Sequence, residues 1–307
     1  MIREKKKMSK AIKRENAQLW LLCLPGMIKV LIFSYIPFVW LVMAFQFYIP
    51  RRGIFGSTWV GFENFEYLIK SSVATRIITN SIVINVLGIV FCTLVSVILG
   101  LFLYEVTKRW VLKISQTVVI FPYFVSWPLV GILVSSFLSE RTGMITSIID
   151  IFGERPDFYS DPEVWWGIIT FCNVWKNAGL SAVTYYAVLM GVDKEMYEAA
   201  EIDGANRFRR MISISMPALK LMIVLNIIMS SANILRVDFN MIYYVTNNAA
   251  ALYSKTDVIE TYMFRALRTE GDYSIGTATG LLQAFVGFLL TLGVNYLSKK
   301  LSKESLF

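Results

Sequence analysis

Few residues in this chain have types and spacings that could do chemistry. Asn173, Lys176 and Asn177 stand at i, i+3 and i+4 in apolar surroundings, so one helix face presents all three. Such a face can bond the hydroxyls of a solute, or it can hold helices together inside a bundle. An unpartnered Lys176 at the centre of a bilayer would cost roughly 2.5–3.5 kcal/mol on insertion scales. It is therefore expected to face a polar cavity or to pair with a neighbour. Tyr123, Trp127, Trp175, Tyr185 and Tyr186 could add aromatic faces, although aromatics at helical spacing are more often packing. Asn173, Lys176, Asn177, Trp127 and Tyr123 are the candidate lining of a solute path. Asn80, Asn85, Asn226, Asn233 and Gln283 read first as interhelical hydrogen bonders.

Several chemistries are excluded. The chain has no His, so Ser-His-Asp triads and HExxH zinc sites are absent. Cys23, Cys92 and Cys172 lie singly in apolar runs and suggest neither a disulfide nor a metal site. No GxxxxGK[ST] loop occurs, so the chain has no such cradle for nucleotide phosphates. No metal ligand set is expected, and no cofactor bound by this chain. The net charge of +8 would suggest nucleic acid in a soluble protein. Here the basic residues sit between apolar runs, and a topological reading fits better than nucleic acid.

The elements that must position these residues are membrane helices. Of the 307 residues, 56% are hydrophobic and 17% charged, against soluble averages of roughly 45–50% apolar and about 25% charged. A span needs roughly 20 apolar residues. Six stretches qualify, at about 18–45, 79–104, 112–138, 164–191, 214–236 and 273–298. Pro122 and Pro128 interrupt the third, which membrane helices tolerate where neighbours re-satisfy the backbone. The first run is too long for a cleaved signal peptide. The expectation is an all-α polytopic membrane protein with a basic N-terminal tail at 1–17 and a short C-terminal tail at 299–307. With the N-terminus inside, 17 of the 30 Lys and Arg fall on inner segments and 10 on outer ones. That bias places both termini in the cytoplasm. Lys5-Lys6-Lys7 is a topology signal that also attracts anionic membrane lipid. Trp20, Trp110, Trp165 and Trp166 fall near segment ends, as in an interfacial belt.

The loop at 193–217, between the fourth and fifth stretches, is the most informative segment. It reads as two short helices with a turn. Asp193 can cap the first, with Glu195 in its first turn. Gly204 supplies the left-handed residue that ends it. Met196, Tyr197 and Ala200 share one face of that helix, while Glu195, Glu198, Glu201 and Asp203 lie elsewhere. An apolar stripe with small residues can lie in a groove on another protein. An ordinary loop helix, or one resting on lipid headgroups, fits the same residues.

The same loop resembles the EAA motif of ABC importer permeases: E-A-A, three residues, G, nine residues, I-x-L-P. The chain has Glu198-Ala199-Ala200, then Gly204, then Ile214-Ser215-Met216-Pro217, with Met216 in place of Leu as the one departure. Asp203-Gly204-Ala205 resembles the sugar-importing subgroup. Leu24-Pro25-Gly26, Tyr35-Ile36-Pro37, Trp59 to Phe65 and Phe121 to Trp127 are similar to other parts of carbohydrate permeases of the MalF-like, LplB-like kind. The likeness covers nearly the whole chain beyond residue 18, without the large periplasmic insertion of the maltose permease.

The resemblance implies a MetI-like type I importer permease fold in the bacterial inner membrane. It further implies a second permease as heterodimer partner, two ATP-binding cassette subunits that hold ATP and Mg, and an extracellular or periplasmic sugar-binding protein. Transport by alternating access would carry a carbohydrate, most simply an oligosaccharide. The family coupling element maps onto Met196, Tyr197, Glu198, Ala199, Ala200, Asp203, Gly204 and Pro217. The competing classes are a stand-alone secondary transporter and an intramembrane enzyme. The absence of Asp and Glu from the six stretches argues against the first, and the absence of His against the second.

Overall fold

The computed structural model describes residues 10–153 and 155–302, with backbone alone at 10–15, 17 and 297–302. Residues 1–9 of the basic tail and 303–307 of the C-terminal tail lie outside the described residues. A helix satisfies its backbone hydrogen bonds within one segment, as hydrocarbon demands, and most of the described chain is helical. We label α1 (Lys10–Val30), α2 (Ser72–Glu105), α3 (Arg109–Ile120), α4 (Trp127–Leu138), α5 (Trp165–Leu189), α6 (Lys194–Ile202), α7 (Met216–Ser231), α8 (Phe239–Val245), α9 (Ile259–Arg265) and α10 (Tyr273–Ser302). A single antiparallel strand pair, Gln46–Phe47 with Thr58–Trp59, lies among the described residues.

Four helical stretches are long and apolar enough to cross a membrane: Gln18–Phe45, Ser72–Glu105, Arg207–Ser231 and Tyr273–Tyr296. The stretch that reads as one interrupted segment, 112–138, is two helices meeting at 93°. Pro122 opens a 3-10 turn, Phe121–Phe124, and Pro128 sits in the first turn of α4, where a missing N–H breaks no helical bond. Counted as one span, this pair is the fifth. The remaining expected stretch, the fourth, is α5, 25 residues long and so about 37 Å at 1.5 Å per residue. Asn173, Lys176 and Asn177 dilute its apolarity, and it spends its surface inside the bundle. Trp165, Ile169, Cys172, Ala178, Ala182, Tyr185 and Leu189 on α5 are all buried.

Small residues let the helices approach closely. A Cβ on Gly179 of α5 would stand 1.8 Å from the Val119 carbonyl oxygen of α3, and one on Gly100 of α2 would stand 2.9 Å from the Tyr185 Cβ. The main core joins Ile84 of α2, Trp127 and Val130 of α4, Ile169 and Cys172 of α5, and Met241 and Ile242 of α8. A second cluster packs Val97 and Leu101 against Tyr185, Leu189 and Leu219. On the loop side, Asp257 is fully buried between Arg76 (2.8 Å) and Arg265 (2.7 Å) and accepts from Thr261 at 3.1 Å.

The first apolar stretch behaves differently. Residues 18–40 are exposed throughout, and the helix rejoins the bundle only at Met43 and Ala44.

Candidate functional site

The 193–217 loop folds as two capped helices. Asp193 accepts from the Glu195 amide at 3.0 Å. At the other end of α6 the Gly204 amide bonds the Glu201 carbonyl at 3.0 Å and the Ala205 amide bonds the Ala200 carbonyl at 2.9 Å. That pair of bonds is the Schellman arrangement. It places Gly204 at φ +78°, where an L side chain is strained. Asn206 caps the next turn, accepting from the Arg209 amide at 2.9 Å. A π turn, Met211–Ser215, precedes Pro217, where the helical ladder loses a donor.

The face that α6 turns inward is set by Tyr197. Its hydroxyl bonds Ser215 Oγ at 2.9 Å, and its ring lies 5.4 Å from that of Tyr104 on α2. Tyr197 and Ala200 are half-buried against the chain's own helices. Met196, Glu198, Ala199 and Asp203 are exposed, and Ile202 is 87% exposed. Phe208, in the turn that follows, is a third exposed large apolar residue of the loop. The outward surface is thus Met196, Glu198, Ala199 and Ile202, a different combination from the Met196, Tyr197 and Ala200 stripe visible in the sequence. Arg210 pairs with Glu201 at 2.6 Å and Arg207 lies 4.0 Å from Glu105, tying the loop to itself and to α2.

The polar face of α5 splits in two. Lys176 donates to the Tyr123 carbonyl at 2.7 Å and to the Val125 carbonyl. Both carbonyls belong to the break between α3 and α4, whose free groups hydrocarbon would otherwise strand. A cation at the end of a helix is also favoured by its dipole. The rings of Tyr123 and Trp127 lie 5.6 Å and 5.4 Å from the ammonium. Trp127 is buried in the main core and donates to Asp238 Oδ2 at 2.7 Å. Asp238 in turn caps α8 through the Asn240 and Met241 amides. Lys176, Tyr123 and Trp127 therefore form one assembly around the broken span.

Asn173 points elsewhere. With Asn85, Gly88, Asn226, Ser230, Asn233 and Arg236 it lines a groove of about 470 Å³ between α2, α5 and the end of α7. Asn177 donates to Asn173 Oδ1 at 2.6 Å and orients it. Gly88 makes the room: a Cβ there would sit 2.7 Å from Asn173 Nδ2. Asn85 donates to the Ile234 carbonyl at 2.8 Å, and Asn226 to the Tyr185 hydroxyl at 3.1 Å. Arg236, a topology charge in the sequence, is a groove residue that sequence reasoning missed. Its signal was its position three residues after Asn233 and ten after Asn226. Asn80 is instead structural, donating to the Ser254 and Asp257 carbonyls, and Gln283 bonds Leu235 and Glu260.

Residues 92–303 match the family described as binding-protein-dependent transport system inner membrane component. The chain belongs to that family. Protein LplB of Bacillus subtilis is 36% identical over 97% of this chain and 93% of its own length. The polygalacturonan/rhamnogalacturonan transport system permease protein YteP of the same organism is 34% identical over 95% of this chain and 91% of its own. A solved bacterial ABC transporter for import of the acidic polysaccharide alginate superposes with a TM-score of 0.83 at 32% identity, covering 95% of this chain and 98% of that one. This binding-protein-dependent permease is a multi-pass membrane component of a carbohydrate ABC importer, and its role is transport, not catalysis.

Proposed function

We propose that this permease is one half of the membrane pathway of an ATP-driven oligosaccharide importer that works by alternating access. Six spans, with α5 and the broken α3–α4 pair among them, put both termini and the 193–217 loop in the cytoplasm. There α6 docks on one of two ATP-binding cassette subunits, which hold the ATP and Mg. A second permease completes the pathway as a heterodimer, and a sugar-binding protein delivers the solute from outside.

The observation that carries this reading is the presentation of α6. Tyr197 anchors its inner face, Schellman and Asp caps fix its ends, and Met196, Glu198, Ala199 and Ile202 stand outward with none of the described residues over them. A short helix with a small-residue, part-apolar outer face fits a groove on a partner. Asp203 and Gly204 close the helix, and Pro217 lies ten residues into the Arg207–Ser231 helix that would carry movement into the membrane. The bare apolar helix at 18–40 supports the second permease, since lipid alone sets no fixed position for it. The groove containing Asn173 supports a path for hydroxylated solutes. Lys176, Asn177, Tyr123 and Trp127 support its walls, while Asn173 is the residue of that set that lines it.

Affinity purification of the tagged chain in mild detergent, followed by mass spectrometry, tests the assembly. A second permease and a P-loop ATPase are the expected companions. Recovery of the chain alone, or as a homodimer without an ATPase, would favour a stand-alone secondary transporter.

A further inference from the structure

The groove between α2, α5 and α7 has a floor of Gly88, Ile89, Cys92 and Met229, and its polar lining is carboxamides, one hydroxyl and one cation. Asn85, Asn173, Asn226, Asn233 and Ser230 supply neutral donors and acceptors, and Arg236 supplies the charge. Several of these groups keep hydrogen-bonding capacity for a solute. Asn85 and Asn226 spend their Nδ2 groups on the Ile234 carbonyl and the Tyr185 hydroxyl, which leaves their Oδ1 atoms as acceptors. Asn173 spends its Oδ1 on Asn177, which leaves its Nδ2 as a donor toward the groove.

Arg236 is the odd member. Its backbone carbonyl accepts from Asn85 at 3.2 Å, which holds the residue at the groove wall. Its side chain is exposed, and among the described residues its guanidinium takes part in none of the ion pairs. Glu260 feels the Arg236 charge, yet Glu260 Oε1 is taken by the Val237 amide at 3.0 Å and by Gln283 at 2.8 Å. Arg76 and Arg265 close on Asp257 and Lys255 on Glu163; Arg51, Arg52, Arg141 and Arg268 are, like Arg236, in none of the ion pairs among the described residues, but of these only Arg236 lines the groove. A planar guanidinium matches a carboxylate with two parallel hydrogen bonds, and neutral carboxamides around it suit hydroxyls.

From this arrangement we infer that the groove selects acidic oligosaccharides, with Arg236 as the residue that reads a uronate carboxylate. The inference rests on the groove being part of the solute path, as proposed above. A neutral sugar would meet the same carboxamides and leave the guanidinium without a counter-charge.

The test uses the assembled permease–ATPase complex in detergent without the binding protein, so that only the membrane path is read. The probes are the galacturonic acid trimer and its fully methyl-esterified form, which keeps the hydroxyls and removes the charge. Isothermal titration should show the acid binding more tightly than the ester. Arg236→Gln should weaken the acid by about tenfold or more, as expected from loss of a charge-assisted pair, and leave the ester unchanged. Arg236→Lys should fall between the two. Equal binding of acid and ester, binding of neither, or an unchanged preference in Arg236→Gln would overturn the assignment. So would an Arg236→Gln complex that no longer assembles while Arg236→Lys does, which would give Arg236 to the partner subunit. The Asn226→Ala, Asn233→Ala double variant separates the two readings: it should weaken acid and ester alike, and if it weakens neither, the groove lies off the solute path whatever Arg236 does.

Discussion

Gly204→Leu is expected to abolish most transport while leaving the chain inserted and assembled in the membrane. A Cβ at Gly204 would meet nothing within 4 Å among the described residues, so the first side-chain atom meets no clash. What it does cause is strain, because φ is +78° and a left-handed L residue costs roughly 1–2 kcal/mol. Relief of that strain means leaving the left-handed region, which breaks the two Schellman bonds at Gly204 and Ala205. The angle between α6 and the helix that starts at Arg207 then changes. A bias of that size shifts the population of the docking geometry by about 5–30-fold. ATP hydrolysis by the assembled complex should persist and lose its dependence on solute. Gly204→Asn should keep more transport than Gly204→Leu, since Asn tolerates the left-handed region. Solute uptake and ATPase rate measured together in proteoliposomes check this. Wild-type uptake by Gly204→Leu would remove the coupling role from the turn.

The second large effect is expected at Lys176. Lys176→Met keeps the length and removes the donor to the Tyr123 and Val125 carbonyls. Hydrogen bonds to charged groups are worth about 1.5–3 kcal/mol, and the carbonyls left behind add to the loss. The break between α3 and α4 should loosen by roughly 2–4 kcal/mol, seen as a fall of several degrees in the thermal inactivation midpoint of the detergent-solubilised complex. If Lys176 instead bound the solute, Lys176→Met would raise the KM for uptake and leave the midpoint in place. The two readouts therefore separate a residue that holds the broken span from one that reads the sugar.

Much of this architecture is legible in the sequence because membrane spans are a matter of composition. The long apolar runs of α1, α2, α7 and α10 need only hydropathy to be found, although the helical stretches that carry the second and the fifth begin seven residues earlier, at Ser72 and Arg207. The broken span was half legible. Pro122 and Pro128 mark a disturbance, yet a 93° bend depends on how α4 packs against α8 and on where Lys176 reaches, and both are tertiary facts. Spacing grouped Asn173, Lys176 and Asn177 correctly on one side of α5. It could not show that Lys176 reaches along that side to α3 while Asn173 turns to the groove.

The coupling loop shows the same limit. Helical spacing identified its turn, its caps and its apolar residues. It could not say which of them faces the protein, because that is decided by Tyr197 meeting Ser215 and Tyr104. Arg236 was visible only as one more outer charge. Its place in the groove depends on the chain ending its helix at Ser231 and turning back over Asn85.

Whether α6 faces the cytoplasm and docks on an ATPase subunit can be read from a single cysteine placed at Ala199. Cys23, Cys92 and Cys172 are first replaced, and the variant is treated with a maleimide–benzophenone photo-cross-linker, which needs no thiol on the partner, and illuminated in membranes containing the whole importer. The account predicts a cross-link between position 199 and the P-loop ATPase, with no labelling of that cysteine by a membrane-impermeant maleimide added to intact cells. A cysteine at 199 that is labelled from outside, or that never cross-links to the ATPase, would contradict it.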